Sequence, residues 1–156
     1  HGLTLTPCIM NPKSRGDVTI ESDNPKDRPL VNPNFLSNDE DLSLILDAVK
    51  LARKVLKTKP LSDIVIEESL PGELVKNDEE LKNYCKKMIK TNWHPVGTCK
   101  MGSENDEMSV LNTKLQVKGI EKLRVFDVSM MPSIVAANTN APAMAIADKA
   151  TDMLLS

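Results

Sequence analysis

Residues 93–102 carry the sequence WHPVGTCKMG, the most informative short stretch of the chain. It contains His94, one of two histidines in the chain, together with a tryptophan, a proline and two glycines. Glycine lets the backbone come close to a neighbouring group, and an imidazole gains and loses a proton near neutral pH. His94 is therefore a candidate catalytic residue, although by spacing alone a single histidine is more often structural. The other histidine, His1, we take to be incidental.

A second polar segment, Asn138–Pro142 (NTNAP), opens a predicted helix over residues 141–155. Pro142 suits the first turn of a helix, where its missing N–H removes no hydrogen bond. Asparagine is a common helix cap, which is the structural interpretation of this segment. The functional interpretation uses the same geometry, because the free amides at a buried helix start stabilise an anion. The first half of the helix is apolar on every side, so we expect it to be buried.

Asp127 is the third candidate, and it directly follows the apolar run Leu123–Phe126. Such a run is typical of a strand buried on both faces, and residues 111–117 alternate as a half-buried strand does. Nucleotide ligands dock at the carboxyl ends of parallel strands in open α/β sheets, so a carboxylate there is a candidate ligand contact. Aspartates in loops are also common turn formers, which leaves a structural alternative open.

The first part of the chain has the pattern of strands followed by a connector. Alternating apolar residues predict two strands within residues 3–22, placed on either side of a turn at Pro12–Gly16. Three prolines in residues 23–34 indicate an extended connector.

Two amphipathic helices are predicted after this connector. Ser37–Glu40 has the pattern of a capping box, and the helical spacing of apolar residues behind it predicts a helix over residues 39–57. The second helix is expected to begin at Asn77 and to end near Lys90. Its methionine and cysteine positions are best explained by core packing.

Composition limits the classes of function. With 156 residues and 40% hydrophobic content, the chain is long enough for one domain with a real core. A net charge of -2 gives no basic surface for nucleic acid, and no apolar run is long enough to span a membrane. The three cysteines are too far apart to indicate a zinc site or a disulfide framework. The chain begins without a methionine, so we expect it to be part of a longer protein.

Three segments taken together resemble the C-terminal signature of the glucose-methanol-choline (GMC) oxidoreductase family. These segments, in the family's order, are residues 93–102, 123–132 and 138–142. Residues 12–16 and 33–35 also resemble segments of the family's substrate domain, so the resemblance covers nearly the whole chain. In detail the chain is most similar to the animal glucose-dehydrogenase-like and choline-dehydrogenase-like members.

The resemblance implies a mixed α/β fold of the α+β class. Residues 1–110 would belong to the substrate-binding region, an antiparallel sheet with flanking helices. Residues 111–156 would return to the Rossmann-type FAD domain and supply its last strand and helix. The family's Gly-rich GxGxxG fingerprint is absent from this sequence, so only the C-terminal part of such an enzyme is expected here.

The resemblance also implies catalytic roles. His94 matches the family's active-site histidine, and Asn140 matches a second active-site position that is histidine or asparagine among members. His94 would accept the proton of a substrate hydroxyl while a hydride moves to flavin N5, and Asn140 would hold the substrate oxygen. No metal is implied.

The cofactor contacts are implied in the same way. Asp127 matches an acidic residue near the flavin's ribityl and pyrophosphate region, and Val128 stands beside it where a smaller residue is usual. Asn138, Ala141 and Pro142 match the helix start beneath the flavin pyrimidine ring. Another departure from the family pattern is Asn112-Thr113, where many members have Asp-Pro.

The expected function is therefore oxidation of a primary or secondary alcohol by an FAD enzyme, with oxygen or a quinone as electron acceptor. The partners would be a small alcohol and the remaining N-terminal part of the enzyme. The sequence leaves cytosolic and secreted origins both open, and the resemblance favours the secreted one. Two alternatives stay open. Some proteins of this fold are hydroxynitrile lyases, and the isolated chain by itself is expected to be an inactive fragment.

Overall fold

The computed structural model describes residues 2–155, which leaves His1 and Ser156 outside the described range. It separates into a first unit, residues 1–90, and a second unit, residues 91–156. Helices and one small antiparallel sheet make up the regular structure, which confirms the mixed fold class. The functional division expected from the resemblance is a different one, with residues 1–110 in the substrate-binding region and residues 111–156 in the FAD domain. That division remains a prediction.

Two capped helices form the first unit's framework. Helix α1 spans Asp39–Leu56 and helix α2 spans Asp78–Met88. The predicted capping box at Ser37 is wrong, because α1 begins at Asp39 and its cap is Asn38, whose side chain accepts a hydrogen bond from the Glu40 amide. The start of α2 at Asn77 is confirmed, with a complete capping box. Apolar faces of the two helices contribute to one core, which contains Leu36, Leu42, Ile45, Leu81 and Cys85.

A buried carboxylate connects α1 to the turn before the sheet. Asp41 is only 1% exposed. Its Oδ1 and Oδ2 accept from the Lys13 amide at 2.9 and 3.0 Å, and Oδ2 accepts from the amide and hydroxyl of Ser14 at 2.7 and 2.5 Å. The carboxylate thus accepts from three donors of a turn, and these donors have no partner in a helix or sheet.

The sheet consists of two short antiparallel strands, β1 (Asp17–Thr19) and β2 (Leu30–Asn32), with Val18 opposite Val31. The strand predicted around Val18 is confirmed, but its partner lies in the predicted connector, and no strand forms at residues 3–11. Prolines on both sides of β2 lack the amide that a longer ladder needs, which limits the strand to three residues. Gly16 permits the close pairing, since a Cβ there would lie 2.1 Å from the Asn32 carbonyl oxygen.

The second unit contains helix α3 (Asn140–Leu155) and a 3-10 helix at Val128–Met130. The strands predicted at residues 111–117 and 123–126 are wrong, because single bridges such as Gln116–Arg124 stand where ladders were expected. A ladder needs a second segment alongside it, and the described residues supply only these isolated pairs. The unit's buried core comprises Leu111, Leu115, Met130 and Ala150.

Several side chains that were expected to be buried are exposed. Leu123 and Phe126 are 46% and 37% exposed, so the predicted strand is not covered on both faces. Met144, in the apolar first half of α3, is 60% exposed. An apolar run indicates that its side chains favour burial, but it does not show which other segment buries them. None of the helices within residues 2–155 has the length and apolarity that a bilayer crossing requires.

Candidate active site

His94 is held by one hydrogen bond through its ring. Its Nδ1 lies 2.8 Å from the hydroxyl oxygen of Thr139, a residue 45 positions further along the chain. The ring is half-buried, and its other nitrogen, Nε2, makes no hydrogen bond with any residue in the described range. Because Thr139 directly precedes α3, this bond places the imidazole beside the start of that helix. One nitrogen is therefore fixed, and the other is available to an external group.

Backbone hydrogen bonds join the segment that follows His94 to the segment that follows Asp127. The Cys99 amide donates to the Ser129 carbonyl at 3.0 Å, and the Met101 amide donates to the Met130 carbonyl at 2.9 Å. Gly97 has a φ of 90°, and a Cβ there would lie 3.3 Å from a carbonyl oxygen of residue 131. Glycine is favoured both by this left-handed backbone and by the close approach. The fold thus brings all three sequence segments together.

Two backbone amides at the start of α3 have no hydrogen-bond acceptor among residues 2–155. Asn140 is its first residue, and the first intrahelical bond runs from the Ala143 amide to the Thr139 carbonyl at 2.9 Å. The amides of Asn140 and Ala141 precede that bond and have no helical acceptor, while Pro142 has no amide hydrogen. Asn140 and Ala141 are exposed, and so is Asn138. These donors lie at the positive end of the helix dipole, which suits a bound anion.

Asp127 caps the 3-10 helix. Its Oδ1 accepts a hydrogen bond from the Ser129 amide at 2.8 Å, and Val128 is the first residue of that helix. This is the turn-forming role that the sequence left open. Asp127 is exposed, and within the described part of the chain its second carboxylate oxygen makes no hydrogen bond. A contact between Asp127 or Val128 and a cofactor therefore remains a prediction.

Two neighbours of the site were not singled out from the sequence. Thr139 carries the hydroxyl that contacts His94, and the available signal was a hydroxyl residue between two asparagines in front of a helix. Trp93 has a φ of 60° and is 74% exposed, which places a large aromatic surface next to His94 in sequence. A tryptophan in the left-handed region is strained, and such strain is concentrated at functional positions.

A polar network fixes the loop that follows this segment. Lys100 forms an ion pair with Asp106 at 3.0 Å, and the hydrogen bond from Lys100 is the largest cause that lowers the pKa of Asp106 below its ordinary value. Lys118 Nζ donates to the Ser103 and Asp106 carbonyls at 2.7 and 3.0 Å and to the Ser109 hydroxyl at 2.5 Å. The three donors of the Lys118 ammonium thus each have an acceptor, which makes this a structural network.

The described residues contain no group of three or more histidine, cysteine, aspartate or glutamate side chains that could hold a metal ion. The cysteines are all free thiols. Cys85 lies in the first unit's core, where burial raises the pKa of its thiol and so disfavours the reactive thiolate.

The chain was compared with known families and structures. The family model described as GMC oxidoreductase matches residues 12–147. An alcohol dehydrogenase [acceptor] of Pseudomonas putida is 39% identical over 99% of this chain and 28% of its own length. An oxygen-dependent choline dehydrogenase of Photobacterium profundum is 37% identical over 99% of this chain and 27% of its own length. This chain therefore spans little more than a quarter of these relatives.

A solved structure gives the same result for the fold. Formate oxidase of Aspergillus oryzae, in a variant studied for its effect on FAD modification, superimposes with a TM-score of 0.86. The match has 31% sequence identity and covers 93% of this chain and 25% of the formate oxidase chain.

Proposed function

This chain belongs to the GMC oxidoreductase family, and we propose that it forms the C-terminal part of an FAD-dependent enzyme that oxidises an alcohol. Family membership rests on the match over residues 12–147. Two of the similar proteins carry a substrate in their names that fits this reaction, an alcohol in one and choline in the other. A primary or secondary alcohol, choline among them, is therefore the proposed substrate class.

The observation that carries this proposal is the hydrogen bonding of the His94 ring, which engages one nitrogen and leaves the other accessible. Thr139 holds Nδ1, while Nε2 makes no bond within the described residues. A neutral imidazole arranged in this way can accept the proton of a substrate hydroxyl at Nε2. Asn140, exposed at the start of α3, would donate its side-chain amide to the substrate oxygen. General-base assistance of this kind typically contributes about 10²–10⁴-fold to the rate.

The start of α3 fits the anionic edge of a flavin. The free amides of Asn140 and Ala141 are uncharged donors at a positive helix end, and Ala141 is small enough to let a ring approach. The carboxylate of Asp127 keeps one oxygen for a ribityl hydroxyl, and Asn138 and Pro142 would complete the contact surface. FAD, when bound, supplies a hydride acceptor at flavin N5. The electron acceptor that would complete the cycle is oxygen or a quinone, and we expect the enzyme to be secreted.

The catalytic role of His94 is tested in the FAD-loaded enzyme that carries this chain. With His94→Ala we expect anaerobic flavin reduction by the fastest alcohol in a panel of choline, benzyl alcohol, 1-octanol and glucose to slow by about 10²–10⁴-fold. The amount of bound FAD should stay unchanged. Thr98→Ala, an exposed position in the same segment, is the matched control. An unchanged reduction rate in His94→Ala would refute the assignment.

The colour of the purified protein separates this proposal from its alternatives. A yellow protein that is bleached by an alcohol supports the oxidoreductase. A yellow protein that none of the panel reduces points to a lyase that uses the same histidine without net oxidation. A colourless preparation of the 156-residue chain indicates that it needs the remaining part of the enzyme to hold the cofactor.

A further inference from the structure

The hydroxyl of Thr139 contacts the ring of His94, although Thr139 stands at the position that usually caps the helix behind it. We propose that Thr139 is a positioning residue, whose hydroxyl sets the orientation and the tautomer of His94. The inference rests on the proposed role of His94 as the base. It adds a second residue to that role, one that acts through the His94 ring.

The geometry of the pair supports a defined ring orientation. Nδ1 and the Thr139 oxygen are 2.8 Å apart, and both residues are half-buried. Threonine is β-branched, so its hydroxyl has restricted freedom around the first side-chain torsion. The backbone of Thr139 is also fixed, because its carbonyl accepts the Ala143 amide at 2.9 Å. The imidazole is therefore held by a short and stiff side chain anchored at a helix end.

The sequence of α3 explains why this hydroxyl is available. A residue before a helix normally uses its side-chain oxygen to accept the second or third helical amide. In this chain, Asn38 does so for the second amide of α1 and Asn77 does so for the third amide of α2. In α3 the third helical residue is Pro142, which has no amide hydrogen. The described residues show no bond from the Ala141 amide to the hydroxyl either, so Thr139 is free of capping.

A hydroxyl both donates and accepts, and of the two tautomers that this contact allows, the role as a base requires the one with the proton on Nδ1. When Nδ1–H donates to the threonine oxygen, Nε2 of the neutral ring carries no proton and can accept one. The proton of the substrate hydroxyl passes to Nε2, and the imidazolium keeps the same bond from Nδ1–H. It returns to the neutral form when Nε2 releases the proton to solvent. A hydroxyl holds the ring through this cycle without adding a charge, whereas a carboxylate partner would strengthen the base.

The test uses the FAD-loaded enzyme and the alcohol that reduces it fastest in the panel above. Thr139→Val keeps the shape and removes the hydroxyl, and we expect flavin reduction per bound FAD to slow by about 10–100-fold, a part of the roughly 10²–10⁴-fold that a general base contributes. The pH dependence of this rate should shift as well. Thr139→Ser should restore the rate to within about 3-fold, because it restores the hydroxyl. Thr151→Val is the matched control, since that hydroxyl bonds only the Ala147 carbonyl within α3.

A second measurement determines which nitrogen of the His94 ring carries the proton. Nitrogen-15 chemical shifts of histidine-labelled protein should show one dominant neutral tautomer for His94 in the wild type and a mixture in Thr139→Val. The inference is overturned if Thr139→Val keeps the rate per flavin and the tautomer, or if Thr139→Ser is as slow as Thr139→Val. Those results leave the proposed function intact as long as His94→Ala still slows flavin reduction by about 10²–10⁴-fold. A His94→Ala enzyme that is reduced as fast as the wild type would instead refute the proposed function itself.

Discussion

Replacement of Asp41 by alanine should destabilise the first unit by about 3 kcal/mol. The carboxylate is 1% exposed and accepts from the amides of Lys13 and Ser14 and from the Ser14 hydroxyl. A hydrogen bond to a charged group contributes about 1.5–3 kcal/mol. Two amide bonds at the low end of that range give about 3 kcal/mol, and the hydroxyl is left out because it can turn to water.

Two assays measure this loss. Urea unfolding followed by circular dichroism should show a midpoint lowered by about 1–3 M, since urea m-values of small proteins are about 1–3 kcal/mol per M. Hydrogen exchange at the Lys13 and Ser14 amides should accelerate by about 10²-fold, because about 1.4 kcal/mol corresponds to a factor of ten. Glu40→Gln is the control, as its ion pair with Lys13 joins side chains that are 65% and 58% exposed. Such surface pairs contribute less than about 1 kcal/mol. If Asp41→Ala lost no more stability than Glu40→Gln, the stabilising role assigned to the buried carboxylate would be refuted.

The same carboxylate gives stability a pH dependence. Burial alone raises the pKa of Asp41, but the hydrogen bonds from Ser14 and Lys13 and the nearby Arg15 outweigh it, so the pKa lies below its ordinary value of 3.8. A carboxyl with a lowered folded-state pKa contributes fully above its unfolded-state value and loses that contribution as the pH falls through the folded-state value. We therefore expect an acid-dependent loss of stability beginning below about pH 4, and a shallower one in Asp41→Asn.

Two further pairs of substitutions, measured by urea unfolding, test the core of the second unit and a half-buried ion pair of the first. Leu111→Ala removes a side chain that is 0% exposed and should cost about 2–5 kcal/mol, whereas Leu154→Ala, at a position 50% exposed, should change stability by less than about 1 kcal/mol. Equal effects would contradict the assigned core. Arg53→Met breaks the pair with Glu68, whose side chains are each 21% exposed, and should cost about 1–2 kcal/mol. Lys50→Met, which breaks a far more exposed pair, should cost less than about 1 kcal/mol. A larger loss of stability in Lys50→Met than in Arg53→Met would show that burial does not govern the strength of these pairs.

Local signals in the sequence were sufficient for the helices. The capping and periodicity around Asn77 predicted the start of α2, and the proline near the start of α3 predicted its position. The bonds that define a helix join residues four positions apart, so a short window of sequence contains both partners. Family membership was recognised in the same way, from three short segments matched in order, and the comparison over residues 12–147 confirms it. Similarity to choline dehydrogenases is confirmed as well, while similarity to glucose dehydrogenases stays a prediction.

Contacts between distant residues were decided by the tertiary structure alone. The partner of β1 is a segment that its prolines had marked as a connector, and the apolar run Leu123–Phe126 finds no ladder. His94 could be selected from the sequence as a candidate, but its partner Thr139 lies 45 residues away. Asp41 gave no signal at all, because it looks like an ordinary acidic residue at a helix start. Strand pairing and buried polar contacts depend on which distant groups packing brings together, and one-dimensional patterns do not contain that information.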